Sequence, residues 1–126
     1  MATICTPVGV LRGRDAVYLD EIRLKAQELV LVGEINSRLC EPQWPQDSWI
    51  VYRIVFEGVT LHESRAIDLL NWKTYSSFDL LEGSPWPTSC GARPSGKNVY
   101  SFLAYDHAIR LLADGFTFEV VRERPR

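Results

Sequence analysis

Apolar and polar positions change their period several times along this chain, and each change marks a candidate element. The clearest stretch runs from Asn98 to Val121. Val99-Tyr100-Ser101-Phe102-Leu103-Ala104-Tyr105 is aromatic and β-prone, and reads as a mostly buried strand. Asp106 then offers a carboxylate to the free N–H groups of a short helix predicted from His107 to Asp114. Ile109, Leu112 and Ala113 form its apolar side, and Gly115 falls where a left-handed residue would end it. Phe116 to Val121 alternates and returns to the sheet. The expected unit is strand, helix, strand.

Val17 to Ile35 fits two patterns. A helix capped by Asp15 would gather Leu19, Ile22, Ala26, Leu29 and Val30 on one face. A hairpin would set Ile22, Leu24 and Ala26 against Glu21, Arg23, Lys25 and Gln27, then continue at period two through Leu29, Leu31, Gly33 and Ile35. The run Leu29-Val30-Leu31-Val32-Gly33 is hard to solvate at the end of a surface helix, which favours two strands.

Asn36 to Ser48 reads as a loop, and Trp49 to Phe56 as a strand. In that strand Ile50, Tyr52, Ile54 and Phe56 share one face, while Trp49, Val51, Arg53 and Val55 share the other. With Arg53 its lone charge, it is expected to be central and partly covered on its second face. Gly58 breaks it. Val59 to Leu70 turns and returns as another strand, although Ser64 to Leu70 also fits a helical turn. Ser76 to Gly83 reads as a second short capped helix, and Pro85 to Lys97 as an irregular surface excursion. The fold class expected is α+β: one domain over residues 1–126, with a largely antiparallel sheet and two short helices. Asp106 to Gly115 is at the lower limit for a parallel crossover, which favours the antiparallel arrangement.

Composition narrows the partners. Fourteen basic and sixteen acidic residues leave a net charge of -2, without the basic face that nucleic acid requires. Met1 to Leu11 has no leading basic cluster and is interrupted by Pro7 and Gly9, so it reads as neither a signal peptide nor a membrane span. Cys5, Cys40 and Cys90 are odd in number and widely spaced, which argues against a disulfide framework and for the cytoplasm.

Catalytic and metal motifs fail individually. Gly91-Ala92-Arg93-Pro94-Ser95-Gly96-Lys97-Asn98 matches the G-x-x-x-x-G-K part of a phosphate-binding loop. The required strand before it and helix after it are not expected, and Pro94 removes an amide donor. A looser anion contact by Arg93 and Lys97 fits better. Cys90, Asp106 and His107 contain the ingredients of a thiol–imidazole–carboxylate set, but Asp106 is better used as a helix cap. His62-Glu63 opens like a zinc-protease motif, yet Ala66 stands where the second histidine belongs. No cofactor and no metal are expected.

The tryptophans remain. Four in 126 residues is a high share, and Trp44 and Trp86 each sit beside proline, which restricts the backbone presenting the indole. Each is either a plug over the core or an anchor for a partner. Trp72, in Asn71-Trp72-Lys73-Thr74-Tyr75, has the same two readings. The final Arg122-Glu123-Arg124-Pro125-Arg126 reads as a frayed, solvated tail. The functional expectation is a non-enzymatic module of inhibitor, immunity or adaptor type. It would bind a protein partner through Trp44, Trp72, Trp86, Arg93 and Lys97. The alternative is a small enzyme or ligand-binding protein with a pocket between sheet and helices, using dispersed residues such as His62, His107, Cys90 or Arg53. A homodimer through a sheet edge is a further arrangement the pattern permits.

Overall fold

The computed structural model describes residues 2–12, 14–42, 48–66, 77–81 and 97–125. Within them the chain forms eleven strands: β1 (Ala2–Thr3), β2 (Val10–Leu11), β3 (Val17–Lys25), β4 (Glu28–Asn36), β5 (Cys40–Glu41), β6 (Ser48–Glu57), β7 (Leu61–Ala66), β8 (Phe78–Leu80), β9 (Asn98–Leu103), β10 (His107–Ala113) and β11 (Gly115–Pro125). Single 3-10 turns at Arg14–Ala16 and Ser37–Leu39 are the only helical pieces among the described residues. A five-stranded antiparallel sheet runs β1-β8-β9-β10-β7, a four-stranded one β11-β6-β4-β3, and β2 pairs with β5.

The α+β expectation is therefore overturned: the described chain is nearly all sheet. The helix predicted from His107 to Asp114 is β10, paired with β9 on one side and β7 on the other. Apolar residues occupy both strand faces, with Ile109, Leu111 and Ala113 on one and Ala108 and Leu112 on the other, beside Arg110, which pairs with Glu63; these five apolar residues are all buried. A helix so short is marginal alone, whereas a strand with two neighbours satisfies its whole backbone. Asp106 is no cap; it shares with Tyr105 the turn closed by the Ala104 N–H donating to the His107 carbonyl. Gly115 is not left-handed. The second predicted helix also fails where it is described, because Phe78 to Leu80 pairs with both β1 and β9. Positions 76, 82 and 83 lie outside the described residues.

The other long strands fall where the alternation put them, whereas β5 and the 3-10 turn at Ser37–Leu39 lie inside the stretch expected as a loop. The 17–35 stretch is the β3–β4 hairpin, and β6, β7, β9 and β11 cover the four remaining strand predictions, with positions 67–70 of the β7 prediction outside the described residues. The terminal arginines, read as a frayed tail, belong instead to β11 as far as Pro125.

The two large sheets pack face to face. Leu29, Leu31, Ile35, Ile50, Tyr52, Ile54 and Phe56 from the four-stranded sheet meet Phe78, Tyr100, Phe102, Ile109 and Leu111 from the other in one buried cluster. Aromatic rings bridge the layers: Phe78 of β8 lies 4.9 Å from Phe116 of β11 and 5.9 Å from Phe56 of β6, both edge-to-face. The five-stranded sheet is buried on its other face too, where Leu81, Val99 and Leu112 form a second small cluster. The outer face of the four-stranded sheet is the open one.

One buried polar contact sets the geometry of that open sheet. Tyr52 is fully buried, and its Oη donates to the Tyr18 carbonyl at 3.0 Å. Gly33 of β4 lies between them, and a Cβ there would come within 1.9 Å of the Tyr18 oxygen and 2.7 Å of Tyr52 Oη. Gly33→Ala is expected to lose about 3 kcal/mol of stability, the upper end of overpacking costs, read as a lower denaturant midpoint at constant slope.

Burial, and secondarily the Asp20 charge, hold the Tyr52 phenol well above its ordinary 10.0. A raised folded value means the native state keeps a proton that the unfolded chain has lost. The Tyr52 contribution to stability is therefore level below about pH 10 and declines as pH rises beyond it. Burial lifts the Cys40 thiol to about 11, which adds to the alkaline decline with the same sign. Tyr52→Phe should make the decline shallower in denaturant titrations from pH 8 to 11, while lowering stability at pH 8 by about 1–2 kcal/mol.

Candidate functional site

Strict alternation along β4 and β6 sends Leu29, Leu31, Ile35, Ile50, Tyr52, Ile54 and Phe56 inward. The intervening residues form the outer face, where half-buried Val30, Val32, Val51 and Val55 run down the middle. Charged residues lie to either side of them, with Arg23 opposite Val30 and Glu119 opposite Arg53. Four of these charges form two surface pairs: Arg23 with Glu21, and Arg53 with Glu119 at 3.8 Å.

At one end this face holds an aromatic cleft of about 370 Å³, lined by Tyr18, Asp20, Glu34, Trp49 and Arg124. The volume is within the range of ligand pockets. Trp49 and Tyr18 stand at 78° with centroids 5.3 Å apart, making a corner of two ring walls. Tyr105 reaches over from the β9–β10 turn and stacks on Tyr18 at 5.3 Å and 20°. Its backbone N–H donates to the Val17 carbonyl at 2.8 Å, so the stack is tied to the start of β3. The Tyr52 phenol holds the Tyr18 backbone from beneath.

Two β-bulges, one on each edge strand, bring the charged side chains to this cleft. In β3 the pairing passes from Leu19↔Gly33 to Glu21↔Val32, leaving Asp20 as the extra residue. In β11 it passes from Val120↔Tyr52 to Arg122↔Val51, leaving Val121 extra. Without that second slip, the alternation set by Phe116, Phe118 and Val120 would turn Arg122 and Arg124 toward the core. With it, Glu123 points inward and accepts from Ser48 Oγ at 2.8 Å, while Arg124 reaches Glu34 on the outer face. Bulges commonly re-aim side chains beside binding sites.

None of the residues of this cleft is among the site residues expected from the sequence. Of those expected, Trp44, Trp72, Trp86 and Arg93 lie outside the described residues. Lys97 is described and engaged internally: its Nζ donates to the Gly58 carbonyl at 2.7 Å and pairs with Asp114 at 2.8 Å. Its side chain is only 15% exposed. Gly58 has a φ of 65°, and a Cβ on it would strike the Asp114 carboxylate. Lys97 thus joins the end of β6 to the β10–β11 junction. Lys97→Gln should lower stability by about 1–2 kcal/mol, measured by denaturant unfolding.

The dispersed polar residues of the alternative reading are not gathered either. His62 lies opposite Leu111 and His107 opposite Ala66, while Arg53 belongs to the other sheet. Cys90 is outside the described residues. No cluster of His, Cys, Asp or Glu able to hold a metal occurs among the described residues. None of their helices is long and apolar enough to cross a membrane.

Fold and cleft together describe a two-layer antiparallel β-sandwich with an aromatic recess on its open sheet. No family model, curated protein or solved structure matches the chain.

Proposed function

We propose that this chain is a non-enzymatic binding module that recognises a protein partner through the outer face of its four-stranded sheet, centred on Tyr18 and Trp49. The supporting observation is the convergence of Tyr18, Trp49 and Arg124 at one recess on the sheet face that remains open, with Tyr105 stacked on Tyr18. Trp, Tyr and Arg are the side chains that dominate interface hot spots, and they act most strongly in pockets where neighbours exclude water. The half-buried valines beside the recess extend it with apolar area, and the surrounding charges resemble the polar rim of an interface. Inhibitor, immunity-type and adaptor roles all use such a surface.

The test compares two double variants, Tyr18→Ala/Trp49→Ala and Trp44→Ala/Trp86→Ala, in affinity capture from the native host, with thermal unfolding checking that each is folded. The cleft variant should lose a reproducibly captured protein, with at least about a thirtyfold loss of affinity when binding is remeasured with that protein purified. The proline-flanked tryptophan variant should retain it. Full retention by a folded cleft variant overturns the proposal. If the Ala pair fails to fold, Val32→Lys on the same face takes its place.

A further inference from the structure

We infer that the cleft is a receptor for a cationic side chain, an arginine or lysine projecting from the partner, and that Arg124 is an internal occupant which that side chain displaces. This inference rests on the binding-face reading above and specifies the chemistry it would recognise.

The lining carries the case. Trp49 and Tyr18 present two ring walls at 78°, the corner geometry in which a cation can face one ring while touching the edge of the other. Tyr105, stacked behind Tyr18, limits the ways that wall can move. Asp20 and Glu34 line the same recess, and among the described residues Arg124 is the one basic residue of its lining. Counted over these described residues, two carboxylates against one guanidinium leave one negative charge over. Glu34 is engaged by Arg124. Asp20, the extra residue of the β3 bulge, is exposed and has no ion pair among the described residues. An incoming anion would meet an uncompensated carboxylate and a guanidinium already engaged; an incoming cation would meet aromatic faces and a free carboxylate.

Arg124 itself shows that the recess accommodates a guanidinium, because its own already sits at the rim on Glu34. It reaches there from the outer edge strand and remains half exposed. A pair in that setting contributes little to stability and exchanges at small cost. A partner's cation that adds contacts to both rings and to Asp20 therefore has more to gain than Arg124 has to lose.

The experiment titrates the whole protein with N-acetyl-arginine amide, N-acetyl-lysine amide, neutral N-acetyl-citrulline amide and anionic N-acetyl-glutamate amide. The readout is the Trp49 indole N–H in proton–nitrogen spectra, assigned by its loss in Trp49→Phe. The arginine probe should shift this signal saturably, with a Kd on the order of millimolar, and citrulline should bind at least about fivefold more weakly. The lysine probe separates ammonium from guanidinium preference. Asp20→Asn should weaken the arginine probe by about fivefold, and Arg124→Gln, which frees Glu34, should tighten it by about threefold.

Equal binding of arginine and citrulline, or tighter binding of the glutamate probe, overturns the cation site. Unchanged or weaker binding in Arg124→Gln overturns the internal-occupant role. If no cationic probe shifts Trp49 while the Tyr18→Ala/Trp49→Ala variant still loses its partner, the cation site fails and the binding face stands. If the cationic probes bind but that variant keeps every partner, the protein-recognition reading fails instead.

Discussion

A phenol sealed inside a sandwich must find an acceptor, and Tyr52 finds one by passing over a strand without side-chain bulk. Gly33 supplies the gap, and the Tyr18 carbonyl supplies the lone pair. An unpaired hydroxyl at this depth would cost on the order of a few kcal/mol, so the side chain, the gap and the acceptor stand or fall together. The Leu19/Glu21 bulge lies immediately beside this crossing. The interior contact and the outer cleft are thus two sides of one local arrangement: the bond beneath holds the backbone whose side chain walls the recess above.

The remainder of the core is less exacting. Rings from β6, β8, β9 and β11 meet at separations from 4.9 to 6.3 Å in tilted, edge-to-face and stacked pairs, a packing in which many small contacts add up. Most of these rings lie on strands of one sheet that face the other, so a change in either layer is felt across the interface. The β2–β5 pair extends the same core at its margin through Leu11 and Cys40.

Much of this architecture was legible from period-two alternation. Ile50, Tyr52, Ile54 and Phe56 marked the inner face of β6, and the unsolvatable run from Leu29 to Gly33 argued correctly for a hairpin. β10 was misread because a stretch apolar on both strand faces also satisfies helical spacing, as Ile109, Leu112 and Ala113 show. β8 was too short for any period to declare itself, and only β1 and β9 define it. The cleft was hidden for a different reason. Its walls come from Tyr18 and Trp49, on separate segments, and two of its charges, Asp20 and Arg124, depend on slips in phase. Those slips do leave traces: the polar pair Asp20-Glu21 between Leu19 and Ile22, and the apolar pair Val120-Val121 between Glu119 and Arg122. Doublets that interrupt an alternating strand were the missed signal.

The slip at Val121 also ties chain length to chemistry. Beyond it, every side chain of β11 owes its orientation to one added residue rather than to its own identity. Removing that residue would leave composition, charge and hydrophobicity almost untouched while exchanging the surroundings of Arg122, Glu123 and Arg124. Two guanidinium groups would then be forced inward and a carboxylate outward. For this terminal segment, counting residues matters more than conserving their kind, and a homologue could keep every charge yet lose the recess by a single deletion.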